Sequence, residues 1–169
     1  MSNKEYQSPL ELIGEGESFK DELCQMIENS RMFADFSRPE VQVIANYTHA
    51  YEVQPGATLF REGEKGQYMC LIVEGKINIL KDTGGGERKV VTTVRAGQTM
   101  GEMSLLDDLP YSATATAKDL TKLVLITRNN FERLTDEHPV LGVKILKKIA
   151  RLMSLRLRQT TGVLVDHLE

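Results

Sequence analysis

Met100-Gly101-Glu102-Met103-Ser104-Leu105-Leu106, followed shortly by Leu109-Pro110-Tyr111-Ser112-Ala113-Thr114-Ala115, is the stretch that decides the fold of this chain. Gly101 and Glu102 open a one-turn helix. The glycine permits close backbone approach, and the first N–H groups of a helical turn have no partner inside it. A short loop then leads into a strand of small and hydroxylated residues. Amides aimed outward beside a carboxylate and a hydroxyl suit the capture of a phosphate and a sugar hydroxyl.

On either side of this stretch, from Ala50 to Thr127, short apolar runs alternate with turns. The runs are Tyr51–Val53, Thr58–Phe60, Tyr68–Val73, Lys76–Leu80, Val90–Val94 and Leu123–Ile126. Gln54-Pro55-Gly56-Ala57, Glu62-Gly63-Glu64-Lys65-Gly66 and the triple glycine at 84–86 are turn sequences. Strands this short at this spacing predict a closed or rolled antiparallel architecture, with the glycines at 56, 63, 66, 75, 97 and 101 at its corners.

Helices flank the strands. Ser18 is placed to cap a helix carrying Leu23, Met26 and Ile27. Ser37-Arg38-Pro39-Glu40 predicts a second helix, opened by a capping box and continued by Val41, Ile44 and Ala45. Arg128-Asn129-Asn130 begins a short helix that His138-Pro139 stops. A longer helix runs from about Val140 to past Leu157 with two apolar stripes. One is Leu141, Ile145, Ile149 and Leu152; the other is Leu146, Ala150, Met153, Leu157, Thr160 and Leu164. One core needs one stripe, so the second predicts homodimerisation through this helix. The expected organisation is an N-terminal helical extension (1–30), a β-roll with flanking helices (31–139) and a C-terminal helix (140–167). The closing Leu168-Glu169 reads as a restriction-site remnant of a tag.

Composition removes several function classes. With 41% apolar residues in 169, the chain can bury one substantial core. No stretch is apolar enough to span a membrane, and the polar Met-Ser-Asn-Lys-Glu start lacks a signal-peptide core. Cys24 and Cys70, far apart and without metal spacing, read as reduced core thiols of a cytoplasmic protein. A net charge of −3 gives no reason to expect nucleic-acid binding, and the basic run after His138 reads as a solvated helix face. No catalytic constellation is present in the sequence. His49, His138 and His167 are isolated, Ser104 lacks a His/Asp pair, and no Gly-Lys-Ser/Thr follows the triple glycine. Met69, Met100, Met103 and Met153 read as gap-fillers of a core.

The order of parts resembles the cyclic-nucleotide-binding domain of the cyclic-AMP receptor (catabolite activator) and fumarate-nitrate regulator-like superfamily, also found in cyclic-nucleotide-dependent kinases and channels. The likeness extends from about residue 30 to about residue 160. It is carried by Gly101-Glu102-Met103-Ser104-Leu105, by Pro110-Tyr111-Ser112-Ala113-Thr114, by Pro55–Glu64 as the entry hairpin and by Tyr68–Ile77 as the central strand pair. It implies a mainly β fold: a double-stranded β-helix, or jelly-roll-like β-roll, with N-terminal helices and a long C-terminal dimerisation helix. It also implies a regulatory sensor module rather than an enzyme, with cyclic AMP or cyclic GMP as candidate effector and no resident cofactor or metal.

In that family the backbone amides here belonging to Glu102, Met103 and Ser104 face the cyclic phosphate, and the Glu102 carboxylate takes the ribose 2′-hydroxyl. An arginine followed by a small residue clamps the phosphate; the matching pair here is Tyr111-Ser112, with the Ala113 N–H beside it. Tyr111 brings one O–H and no charge near neutral pH. Three readings follow. The pocket is degenerate and the domain is a docking or dimerising scaffold; or it takes another ligand on which the tyrosine stacks; or it holds the cyclic nucleotide through amides and Ser112, with Arg61, Arg88, Arg95 or Arg156 as substitute cation. In the transcription-factor branch a DNA reader follows the long helix. The dozen residues after Leu157 are too few for one, so no direct DNA contact is expected, and output is expected to pass to an unidentified downstream protein.

Overall fold

The five-residue strand His49–Val53 and the seven-residue strand Thr121–Thr127 pair antiparallel, His49 opposite Leu125 and Val53 opposite Thr121, and they form the spine of a β-roll. The structure, a computed structural model, describes residues 9–14 and 17–166, with side chains to residue 162. Its elements in order are β1 (Glu11–Leu12), α1 (Glu17–Glu28), α2 (Arg38–Ala45), β2 (His49–Val53), β3 (Thr58–Phe60), β4 (Tyr68–Glu74) and β5 (Lys76–Asp82). They continue with β6 (Arg88–Arg95), β7 (Thr99–Met100), a 3₁₀ turn (Glu102–Leu105), β8 (Thr114–Ala117), β9 (Thr121–Thr127), α3 (Arg128–Glu137) and α4 (Pro139–Asp166). The chain divides into two units, Met1–Phe131 and Glu132–Glu169.

In the first unit the strands form a five-stranded sheet, β1-β2-β9-β4-β7, and a four-stranded sheet, β3-β8-β5-β6, antiparallel throughout. The rolled architecture and its flanking helices are those the sequence predicts. Alternation sends Cys70 and Ile72 of β4 and Leu123 and Leu125 of β9 into the core with Ile77 and Ala115. Met69, Leu71, Val124 and Ile126 on the opposite faces are buried too, so both strands are covered on both sides. That explains why they read as continuous apolar runs. Arg88–Thr92 of β6, an edge strand, are exposed; Arg88 and Lys89 put charge on that edge, and Val90 and Val91 are exposed beside them.

The capping box at Ser37 forms. The Ser37 N–H and hydroxyl both donate to the Glu40 carboxylate, at 2.7 and 3.1 Å. Arg38 then ties α2 to α1 through Glu28 (2.8 Å) and Asp21 (2.9 Å). The cap expected at Ser18 is corrected: α1 already begins at Glu17, so Ser18 lies inside its first turn. A second correction concerns the N-terminal extension, where Glu11 and Leu12 pair with Glu52 and Tyr51 as a two-residue strand too short to leave a periodic signal. Both cysteines are free and buried, and the triple glycine is the β5–β6 hairpin tip, closed by Thr83 N–H to the Glu87 carbonyl at 3.0 Å.

In the second unit α4 opens on Pro139, whose missing N–H is not needed at a helix start. Leu141, Ile145 and Ile149 are buried, whereas Leu146 and Leu157 of the second stripe are 38% and 69% exposed. The two faces thus differ as the two stripes imply. Leu164 lies beyond the described side chains, and Leu168-Glu169 and His167 lie outside the described residues. No described helix is long and apolar enough to cross a membrane.

Gly75, between β4 and β5, has φ +85°, and a Cβ there would sit 2.4 Å from the Leu120 carbonyl oxygen. Gly75→Ala is expected to lower the unfolding free energy by at least about 1–3 kcal/mol in urea titration. Gly85→Ala, where a Cβ meets nothing within 4 Å, is the control and should change it by no more than about 0.5 kcal/mol. Equal effects would contradict the steric account.

Candidate functional site

Gly101 has φ +78°, and a Cβ on it would lie 2.7 Å from the Tyr68 carbonyl oxygen. The glycine is therefore required by the approach of its own chain to β4, before any ligand is considered. From it springs the predicted one-turn helix, with the Ser104 N–H on the Gly101 carbonyl at 3.0 Å. Glu102 is buried, and its carboxylate accepts the Thr99 hydroxyl at 2.5 Å. Met103 is 45% exposed rather than filling the core, because it stands on the outer side of a single turn. Ser104 is buried, with its hydroxyl directed to Gly66 and the Tyr111 phenol.

Tyr111 points inward. Its ring stacks on Phe60 with centroids 3.8 Å apart and planes 10° from parallel, and it meets the Tyr68 ring edge-on at 6.1 Å. The phenol oxygen accepts the N–H groups of Gln67 (3.2 Å) and Tyr68 (3.3 Å) and donates to the Tyr68 carbonyl (3.3 Å). At 8% exposure it is a core residue. Burial pushes its phenol above the ordinary range, with the hydrogen bonds pulling the other way, and burial does the same to Tyr68 and to the Cys70 thiol. Ser112 is exposed and Ala113 half-buried at the entrance to β8. The seven site residues read from the sequence thus lie on two adjoining segments, joined by the Ser104–Tyr111 contact.

Two residues at this site escaped the sequence reading. Lys81 donates to the Ser112 carbonyl at 2.6 Å and to the Glu62 carboxylate at 2.5 Å. The alternation Ile77, Ile79, Lys81 along β5 was the available signal. Arg128 donates through Nε to the Ser104 carbonyl at 2.8 Å, and through its other nitrogens to the Asp107 carbonyl and the Asp108 carboxylate. Twenty-four residues separate Arg128 from Ser104, and no sequence signal links them. Of the substitute cations considered, Arg61 is exposed, Arg88 acts on the charge of Glu62, and Arg95 stands opposite Lys76 in the β5–β6 ladder. Arg156 belongs to the second unit.

Removing the phenol oxygen tests whether it anchors the site. Tyr111→Phe keeps the stack on Phe60 but leaves two backbone amides without their acceptor, an expected loss of about 1–3 kcal/mol at pH 7. A phenol raised in the folded state favours folding below its unfolded value near 10, and that contribution is lost as pH climbs from about 10 toward the folded value. The gap between wild type and Tyr111→Phe should therefore shrink in denaturation series above pH 10. A gap that widens there contradicts the burial described.

The family model described as "Cyclic nucleotide-binding domain" matches residues 51–138. The chain is 28% identical over 133 residues to the cyclic AMP receptor protein of Thermus thermophilus, covering 79% of this chain and 60% of that one. It is 34% identical over 103 residues to the cAMP-dependent protein kinase regulatory subunit of Yarrowia lipolytica, covering 61% of this chain and 27% of that one. The chain thus spans less than two thirds of these curated relatives. A cyclic nucleotide-binding domain structure from Methylobacillus flagellatus superposes with a TM-score of 0.82 at 28% identity, over 99% of this chain and 96% of that one.

Proposed function

This chain belongs to the cyclic nucleotide-binding domain family, and from that membership we propose that it is a sensor module whose pocket lies between Gly101–Ser104 and Tyr111–Ala113. It takes cyclic AMP or cyclic GMP weakly, because its phosphate end is closed by a neutral tyrosine. The observation that carries this is the inward phenol of Tyr111, held by the Gln67 and Tyr68 amides where the family's motif has a cation. In this reading Glu102 receives the ribose hydroxyl, the first amides of the 3₁₀ turn and of Ala113 face the phosphate, and Ser112 adds a hydroxyl. The role is regulatory and non-enzymatic. The two buried free thiols suit a cytoplasmic setting.

Calorimetry with both nucleotides tests this on wild type, Glu102→Ala and Tyr111→Arg. A guanidinium restores a charged hydrogen bond worth about 1.5–3 kcal/mol, so Tyr111→Arg should bind roughly ten- to a hundredfold more tightly than wild type. It should also melt lower, because a guanidinium cannot accept the Gln67 and Tyr68 N–H groups. Glu102→Ala should abolish binding in either background. A folded Tyr111→Arg with no gain would sink the proposal. A second reading, a ligand-free interaction domain, is favoured by the same tyrosine, whose ring and hydroxyl already have partners. It predicts that no cyclic nucleotide stabilises wild type or Tyr111→Arg.

Output is assigned to α4. Its exposed Leu146 and Leu157, with the half-buried Met153 between them, fit a seam between two copies, and an unidentified protein is the next recipient. No DNA-reading element is assigned to the described residues. Sedimentation should show a dimer at micromolar concentration that Leu157→Lys weakens. A wild-type monomer under those conditions would refute the seam.

A further inference from the structure

The inner face of the four-stranded sheet ends in an ion pair. Strand alternation places Ile77, Ile79 and Lys81 on one face of β5; Ile77 is in the core and Ile79 packs against it. In the β5–β8 ladder Ile77 faces Ala117 and Ile79 faces Ala115. The same register carried two residues further sets Lys81 opposite Ala113. The ammonium of Lys81 donates to the Ser112 carbonyl at 2.6 Å and to the Glu62 carboxylate at 2.5 Å.

Glu62 reaches this point from β3. It lies two residues beyond Phe60, the ring on which Tyr111 stacks. Its N–H donates to the Thr114 hydroxyl at 3.0 Å, which fixes its backbone against β8. Its second carboxylate oxygen accepts the Asp82 N–H at 3.2 Å. Lys81 and the Asp82 amide therefore form a small anion-binding corner beside Ser112 and Ala113, and the occupant of that corner is the protein's own carboxylate. The Glu62 carboxyl is held below its usual range, first by the Lys81 hydrogen bond and then by the Asp82 amide, with the Arg88 charge adding to them. The side chains of Lys81 and Glu62 are 50% and 31% exposed. An ion pair that open to water adds little to stability, so folding gives little reason for its placement.

We infer that Lys81 is the cation this chain presents to an anionic ligand group at Ser112–Ala113, and that Glu62 is the internal anion which that group displaces. The inference rests on the preceding assignment of a cyclic nucleotide to this pocket, and it adds the source of positive charge that Tyr111 does not supply. It sets a pattern a structural ion pair would not show: removing the two partners has opposite effects on binding.

The experiment is calorimetry of cyclic AMP with wild type, Lys81→Gln and Glu62→Gln, at low and high salt, with thermal melts confirming that all three fold. Lys81→Gln should weaken binding by roughly tenfold or more, the loss of one charged hydrogen bond. Glu62→Gln should tighten it several-fold, and high salt should narrow the spread between the variants. Shifts in the same direction for both variants overturn the inference. If wild type binds cyclic AMP and Lys81→Gln binds it equally well, only the role of Lys81 falls. If neither wild type nor folded Glu62→Gln binds cyclic AMP or cyclic GMP, the assignment of a nucleotide to the pocket falls, and this inference with it.

Discussion

The backbone of Gln67 and Tyr68, at the start of β4, is where the separate parts of this domain meet. The Gln67 carbonyl accepts the Arg128 N–H at 2.9 Å, joining β4 to the first residue of α3. The Gln67 and Tyr68 amides donate to the Tyr111 phenol, which returns a hydrogen bond to the Tyr68 carbonyl. The same carbonyl lies against Gly101, so closely that no side chain fits there. The Tyr68 hydroxyl donates to the Leu59 carbonyl at 2.8 Å and so brings in β3. Four segments distant in sequence are fixed by two residues, and every group involved is a backbone polar group or a buried phenol that must be paired.

That junction explains why a tyrosine is not an arginine with its charge removed. A phenol oxygen accepts hydrogen bonds and donates one; a guanidinium only donates. In this roll the residue at 111 accepts two amides, so its acceptor capacity is part of the fold. The aromatic trio adds a second reason. Phe60 stacks on Tyr111, and Tyr68 meets both rings edge-on. Such pairs contribute about 0.5–1.5 kcal/mol each beyond burial. Tyr111 is thereby part of the hydrophobic core, and Lys81 sets a positive charge against the carbonyl of the next residue, Ser112.

The roll was legible because its strands obey simple alternation and its corners are glycines: Gly56, Gly63, Gly75, Gly97 and Gly101 all have positive φ. Gly66, read as another corner, serves a different end. A Cβ there would lie 2.6 Å from the Ser104 hydroxyl oxygen, so it is small to let the 3₁₀ turn approach. The cap at Ser37 was legible because its chemistry is local, three residues in extent. What remained hidden depends on contacts between distant segments. The inward turn of Tyr111, the hold of Arg128 on Ser104 and the salt bridge of Lys81 with Glu62 each join residues 19 to 44 apart. Local pattern carries no information at that range. Ser18 failed for a local reason: a serine already in helical backbone lacks the extended geometry from which a cap oxygen meets the amides two and three residues ahead.

The 3₁₀ turn is held at both ends, and this limits how the site can communicate. At its start Gly101 rests on the Tyr68 carbonyl. At its finish the carbonyls of Ser104 and Asp107 are taken by Arg128, whose side chain is only 16% exposed. The pair with Asp108 adds little, since that carboxylate is 89% exposed; the hold comes from the carbonyl bonds. A ligand that shifts the turn must either break these bonds or carry Arg128 with it. Arg128 is also the first residue of α3, and its own N–H is bound to Gln67. Any displacement of the turn is therefore felt first at Arg128, the residue from which α3 starts.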